Sequence, residues 1–179
     1  LASWAVAAKN TLRTTLPSEG KRPCWHSVFL QRLAGIGSRD EWIRAIDNPN
    51  ALRPRTAYMW YWAVEAMLRD RLYPRAMNTM RRIWGPLIHQ GFDTCPEHLF
   101  ENSDAYRQPG SALSYCHGWA AGPNALFAHH ILGVHPRHPA DPHWTPHPNT
   151  AGLRWIEGKV PSPKAEVSVR RRGNPEVGY

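Results

Sequence analysis

Apolar residues recur at helical spacing through most of the first 135 residues. The segment AYMWYWAVEAMLRDRL is apolar on most of its sides, which predicts a largely buried helix, and Thr56 stands before it as a suitable cap. Upstream, WHSVFLQRL meets two glycines, and Ser38 with Glu41 forms a capping box ahead of a second short helix. The pattern therefore predicts several helices joined by short connections.

Glycine and proline mark the ends of the remaining predicted helices. Pro74 opens RAMNTMRRIWGPLIHQ, in which the pair Gly85–Pro86 predicts an interior kink and Gly91 a left-handed end. After a polar loop over residues 92–110, SALSYCHGWAAGPNALFAHHILG predicts a further helix that ends at Gly133. Antiparallel neighbours of this kind are helical hairpins.

The pattern changes abruptly after residue 135. Residues 136–150 hold five prolines, which cannot continue a helix and favour an extended connector. Over residues 151–179, apolar and polar residues alternate with the period of a strand, around a predicted turn at Gly158. The sequence therefore predicts three parts, namely helical hairpins over 1–135, the connector, and a small β segment.

Composition excludes several classes of protein. Nine Trp among 179 residues, with 42% hydrophobic residues, supply enough apolar surface for a core, so a disordered chain is not expected. The glycines have no collagen-like period, and no apolar run reaches the roughly 20 residues of a membrane span. Three cysteines leave at least one unpaired, which favours buried free thiols in a reducing compartment such as the cytoplasm.

The net charge of +8 raises the question of a nucleic-acid partner, and the histidines raise that of a metal ion. We expect neither. The basic residues are spread along the chain, and the one dense run, residues 170–172, lacks interleaved aromatics, so a solvated basic surface explains the charge without nucleic acid. The histidines of the connector region have spacings that could ligate a metal on a helix, but the intervening prolines prevent that helix. They are His129, His130, His135, His138, His143 and His147.

The polar loop between the last two predicted helices concentrates acidic residues. Asp93, Glu97, Glu101 and Asp104 lie within it, and a pair of carboxylates is what hydrolysis of a glycosidic bond needs. Caps and solvated loop charges are the alternative explanation.

Aromatic residues favour a sugar cleft, because flat aromatic faces suit the apolar faces of a sugar ring. Core packing remains the alternative for each of them taken singly. The candidates are Tyr58, Trp60, Trp62, Trp84 and Trp119.

Four segments, in this order, resemble the C-terminal part of bacterial α-L-rhamnosidases, glycoside hydrolase family 78. They are RTAYMWYWAVEAML, RRIWGPLIHQGFDTCPE, SALSYCHGWAAGPNALFAHHILGVHP and AGLRWIEGKVPSPKAEVSV, and together they cover about residues 53–170. In that family a Gly-x-x-Thr-x-x-Glu stretch is followed by Ser-x-x-His-Gly and then by Val-Pro-(Thr/Ser)-Pro. This chain departs from the pattern at Cys95–Pro96, where the family more commonly has an apolar residue and Trp.

The resemblance implies an incomplete (α/α)6 toroid of helical hairpins, followed by a small C-terminal β segment, and an inverting hydrolysis of terminal α-L-rhamnosides without cofactor or metal. It places Glu97 on the general base and His117 on the histidine that contacts rhamnose. Asp93 lies in the same motif. Aromatic wall residues of the family fall on Tyr58, Trp60 and Trp62. Trp119 is a further candidate for the apolar wall that the methyl group of rhamnose needs.

The general acid of the family lies on an earlier hairpin, and residues 1–50 show no matching acidic cluster. The chain also opens with LASWAVAAKN, without Met or a signal-peptide pattern, so we expect a fragment that supplies the base but not the acid. The alternatives are a non-catalytic carbohydrate-binding or assembly module and, supported by charge alone, a nucleic-acid binder.

Overall fold

The computed structural model describes residues 24–97, 114–138 and 140–173. In the first of these ranges the chain forms four α-helices: α1 (Trp25–Leu33), α2 (Arg39–Asp47), α3 (Ala57–Arg69) and α4 (Tyr73–His89). The later ranges form a 3₁₀ turn (Gly118–Ala120), α5 (Pro123–Leu126), a π-helical turn (Phe127–Ile131), and the strands β1 (Trp155–Pro161) and β2 (Glu166–Arg172). The described chain is therefore mainly helical, with a small two-stranded antiparallel sheet.

The predicted starts of α2 and α3 are confirmed. The Ser38 hydroxyl accepts a hydrogen bond from the Glu41 backbone N–H at 3.1 Å, and the Glu41 carboxylate accepts one from the Ser38 N–H at 2.8 Å. The bonds from the Ser38 backbone and side chain lower the pKa of Glu41. Thr56 caps α3 by accepting from the Met59 N–H at 3.3 Å. Each bond satisfies a backbone donor that a helix end would leave free.

Helix α3 lies at the centre of the helical part and packs against α1 and α4. Its buried residues include Trp60 and Val64. The ring of Trp25, at the start of α1, contacts Trp60 at a centroid distance of 5.3 Å and Trp42 of α2 at 5.1 Å, both edge to face. The Trp25 indole N–H also donates to the Ala45 carbonyl at 2.9 Å, so one indole joins three helices.

A buried carboxylate connects α3 to the π-helical turn. Glu65 is 5% exposed, and its oxygens lie 2.7 Å from Arg69 Nε and 2.7 Å from His130 Nε2. Burial alone would raise the pKa of Glu65, but the bonds and charges of His130 and Arg69 bring that pKa below its ordinary value. Because the charge is paired on both oxygens, its burial is compatible with a stable fold.

The helix predicted over 111–132 is only partly present. Of its described residues, Ser114–His117 are not helical, and α5 begins at Pro123. The backbone groups around His117 bond to a neighbouring segment instead of to the next helical turn. Gly118, the first residue of the 3₁₀ turn, and Gly122, which follows the turn, further weaken a continuous helix. Gly133 does end the helical segment in the left-handed region, with φ of 68°.

The connector carries no helix or strand in its described residues and lies against the end of the helical part. The His147 N–H donates to the Gly133 carbonyl at 3.0 Å, and a Cβ on Gly133 would lie 2.1 Å from the His147 oxygen. The predicted turn at Gly158 is wrong, since Gly158 lies inside β1 opposite Val169. A Cβ there would meet the Leu132 side chain at 2.6 Å, so Gly158 serves close packing.

All three cysteines are free, and Cys116 is exposed, which corrects the expectation of buried thiols for that residue. Cys24 and Cys95 are half-buried. None of the helices in the described ranges combines the length and the apolar character needed to cross a membrane.

Candidate functional site

Backbone hydrogen bonds hold the segment around Glu97 against the segment around His117. The Glu97 N–H donates to the Ser114 carbonyl at 2.8 Å, and the His117 N–H donates to the Cys95 carbonyl at 2.8 Å. The later residue of one segment pairs with the earlier residue of the other, so the two segments run in opposite directions. The predicted base and the predicted sugar-contacting histidine therefore lie on two hydrogen-bonded segments, although they are 20 residues apart in the sequence.

The residues before Glu97 fix this pairing. Pro96 is fully buried, which anchors the segment in the core. The Thr94 hydroxyl donates to the Tyr115 carbonyl at 2.7 Å. Burial, with the neighbouring Cys116 thiol as a smaller cause, raises the pKa of Cys95, so this thiol adds no negative charge beside Glu97 near neutral pH. At Cys95–Pro96, the buried proline thus holds the segment before Glu97 in place, and the cysteine thiol is uncharged.

Four predicted site residues form one continuous surface, which we call the aromatic surface: Tyr58, Trp62, His117 and Trp119. Tyr58 stacks on Trp119 at a centroid distance of 5.4 Å with 28° between the rings, and His117 lies 4.2 Å from Trp119. Tyr58 meets Trp62 edge to face at 6.1 Å. Trp119 is 45% exposed, and the other three are half-buried. A ligand can therefore reach the edge of this surface.

Two elements supply the aromatic surface. Tyr58 and Trp62 are four residues apart on α3 and so share one face of the helix. Trp119 belongs to the 3₁₀ turn, which is anchored where the Trp84 indole N–H donates to the buried Ala120 carbonyl at 3.0 Å. Trp84, predicted as a possible cleft aromatic, is 6% exposed and acts as this anchor.

Close packing at Gly122 sets the approach of the 3₁₀ turn to α3. A Cβ on Gly122 would lie 2.5 Å from the Tyr61 ring, whereas a Cβ on Gly118 meets nothing within 4 Å. We expect Gly122→Ala to reduce the free energy of unfolding by about 1–3 kcal/mol, because the ring or the turn must shift. Urea unfolding of Gly122→Ala beside Gly118→Ala measures this. Equal stability of the two variants would contradict the packing described.

Trp60 lies in the core, and Asp93 lies on an exposed loop. Trp60 is 5% exposed and contacts the Trp25 ring, so the core-packing alternative holds for it and we leave it out of the proposed site. Asp93 is exposed on the loop before Glu97. Glu101 and Asp104 lie outside the described residues.

Sequence reasoning missed Tyr115 and Phe92 beside the paired segments. Their rings stack at 6.4 Å with 17° between them, and Tyr115 is 40% exposed. Tyr115 is the first unspecified residue of the Ser-x-x-His-Gly motif, so the motif alone does not indicate an aromatic residue there.

The histidines do not gather at one point. His130 binds Glu65, His143 lies 3.2 Å from Lys164 Nζ, and the rings of His129 and His135 are 6.0 Å apart. Burial, followed by the charge of His135, lowers the pKa of His129, although Glu65 opposes this. In ranges 24–97, 114–138 and 140–173, no three His, Cys, Asp or Glu side chains are arranged to hold a metal ion.

The fold of the described chain is similar to part of a solved structure. Its similarity is to the crystal structure of a GH78 family rhamnosidase of Bacillus sp. GL1, with a TM-score of 0.74 and 20% sequence identity. The match covers 90% of this chain and 19% of that one, so the chain spans about a fifth of the structure it matches. No protein-family description and no curated protein matches the sequence.

Proposed function

We propose that this chain is the C-terminal part of an inverting glycoside hydrolase that cleaves terminal α-L-rhamnosides. The observation that carries the proposal is the pairing of the Glu97 and His117 segments beside the aromatic surface. The likeness of fold to a GH78 rhamnosidase supports it.

In this proposal Glu97 is the general base. Its carboxylate accepts a proton from the water whose oxygen attacks the anomeric carbon, while the bond from that carbon to the leaving oxygen breaks on the opposite face. The leaving oxygen takes a proton from a general acid that another segment supplies. One carboxylate at Glu97 therefore performs half of the proton transfers, and the isolated chain lacks the other half.

The aromatic surface would bind the sugar. His117 is in contact with the exposed Trp119, so its ring nitrogens are placed to hydrogen-bond a sugar hydroxyl next to an apolar face. The methyl group of rhamnose needs an apolar wall, and Tyr58, Trp62 and Trp119 offer one. Helices α1 to α4 would be hairpins of an (α/α)6 toroid that this chain leaves incomplete.

The proposal predicts sugar binding without catalysis by the full chain. L-Rhamnose should bind saturably, followed by calorimetry or Trp fluorescence, and an aryl α-L-rhamnoside should not be turned over. L-Mannose differs by one added hydroxyl and is the matched control, which an apolar wall should reject by at most about 10²-fold. Absence of rhamnose binding would contradict the proposed sugar site. Turnover at the rate of a complete rhamnosidase would contradict the proposal that another segment supplies the general acid.

A non-catalytic carbohydrate-binding module is the second candidate, favoured by the fact that the aromatic surface is complete without Glu97. If the chain is such a module, Glu97→Gln should leave its affinity for sugar unchanged. The same change should also leave the turnover of any enzyme that contains the module unchanged.

A further inference from the structure

A cavity of about 360 Å³ lies between the end of α2, the loop before α3, and α4. Trp25 and Met67 contribute apolar lining, and three arginines, Arg53, Arg75 and Arg82, also line it. None of the residues of the aromatic surface takes part. The volume falls in the range of small-molecule pockets, about 300–1,000 Å³.

Two of these arginines stack on neighbouring indoles. Arg53 Cζ lies 5.6 Å from the centroid of Trp25, and Arg82 Cζ lies 5.3 Å from that of Trp60. The two indoles contact each other at 5.3 Å. Because a guanidinium over an aromatic face is attracted to it, the two indoles favour positions of both cations at the edge of this cavity.

The three arginines differ in their charge partners. Arg75 forms two hydrogen bonds with the Asp47 carboxylate, at 2.5 and 3.2 Å, so that pair is neutral. Arg53 and Arg82 have no carboxylate partner among the residues that the structure describes. Burial, and then the charge of Arg53, lowers the pKa of Arg82. Two neighbouring cations without a counter-charge favour a dianion.

We propose that this pocket binds a phosphate-type dianion, either free phosphate or the phosphoryl group of a small phosphomonoester, between the guanidinium groups of Arg53 and Arg82. The planar fork of each guanidinium matches two oxygens of such a group, and two forks match its charge. The side chains of Asn78 and Thr79 line the same cavity and add polar groups for the remainder of a ligand. This site is separate from the proposed sugar site and does not depend on it.

The test is an NMR titration of the full chain, following the indole N–H signals of Trp25 and Trp60, with inorganic phosphate in one arm and glycerol 3-phosphate in the other. Arg53→Gln and Arg82→Gln should each weaken binding about tenfold or more, the loss of a hydrogen-bonded charge. Arg55→Gln is the matched control, because it removes the same charge from an exposed arginine outside the cavity lining. Thermal melts of all three variants verify folding.

Saturable shifts that the two lining variants weaken and Arg55→Gln leaves unchanged support the site. Tighter binding of glycerol 3-phosphate then assigns the phosphomonoester, and equal or weaker binding assigns free phosphate. Arg53→Lys keeps the charge but loses the fork, so it should retain only part of the affinity. Absence of saturable shifts in the unchanged chain, or equal weakening by Arg55→Gln, would overturn the proposal.

Discussion

Glu97→Gln is expected to lower kcat on an aryl α-L-rhamnoside by about 10²–10⁴-fold, with KM nearly unchanged, in a polypeptide that carries this chain together with the general acid. Glutamine keeps the size of the side chain and the backbone bond from Glu97 to Ser114, but it cannot accept the proton of the attacking water. Steady-state kinetics of the two proteins measure both constants.

Asp93→Asn is the matched control for this prediction. Asp93 lies on the same loop, is exposed, and precedes the anchored Pro96. Its loss should change kcat much less than Glu97→Gln does. If Asp93→Asn proves the more damaging change, the assignment of the base to Glu97 is wrong and the register of the motif must move.

His117→Ala is expected to lower kcat/KM for the same substrate by about 10–100-fold, the usual effect of removing one hydrogen bond to a bound group. The backbone bond from His117 to Cys95 remains in the variant, so the paired segments should keep their arrangement. The loss then reports on the imidazole itself.

Two aromatic variants serve as comparisons for His117→Ala. Trp62→Leu reduces the apolar wall, a modest filter, and should cost less than the loss of His117. Trp60→Leu should appear mainly as a lower free energy of unfolding, because Trp60 is buried in the core. If His117→Ala leaves the kinetics unchanged, the sugar-binding role passes to Tyr58 and the tryptophans.

Local chemistry in the sequence correctly predicted where α2 and α3 begin. The capping box at Ser38 and the cap at Thr56 are short-range signals, and both are present. The residues next to Glu65 in the sequence do not indicate that His130 pairs with its carboxylate, because His130 lies 65 residues further along the chain. Contacts between distant residues depend on packing, which the pattern of apolar positions does not specify.

Two predictions from the sequence were wrong because contacts between distant residues outweighed local preference. The segment Ser114–His117 reads as helical, but its backbone N–H and carbonyl groups find partners next to Glu97, and this tertiary pairing outweighs local propensity. Gly158 reads as a turn, yet it serves the approach of Leu132 to β1. Among the predicted aromatic wall residues, periodicity alone could not separate the buried Trp60 from the half-buried Trp62.

The most direct test of the sugar site is an NMR titration of the full chain with L-rhamnose, with the Trp indole and His ring signals assigned. We expect saturable shifts at Trp62, Trp119 and His117, which share the aromatic surface, and unchanged signals at the buried Trp42. Shifts confined to other residues, or no saturable shift at these three, would contradict the proposed sugar site.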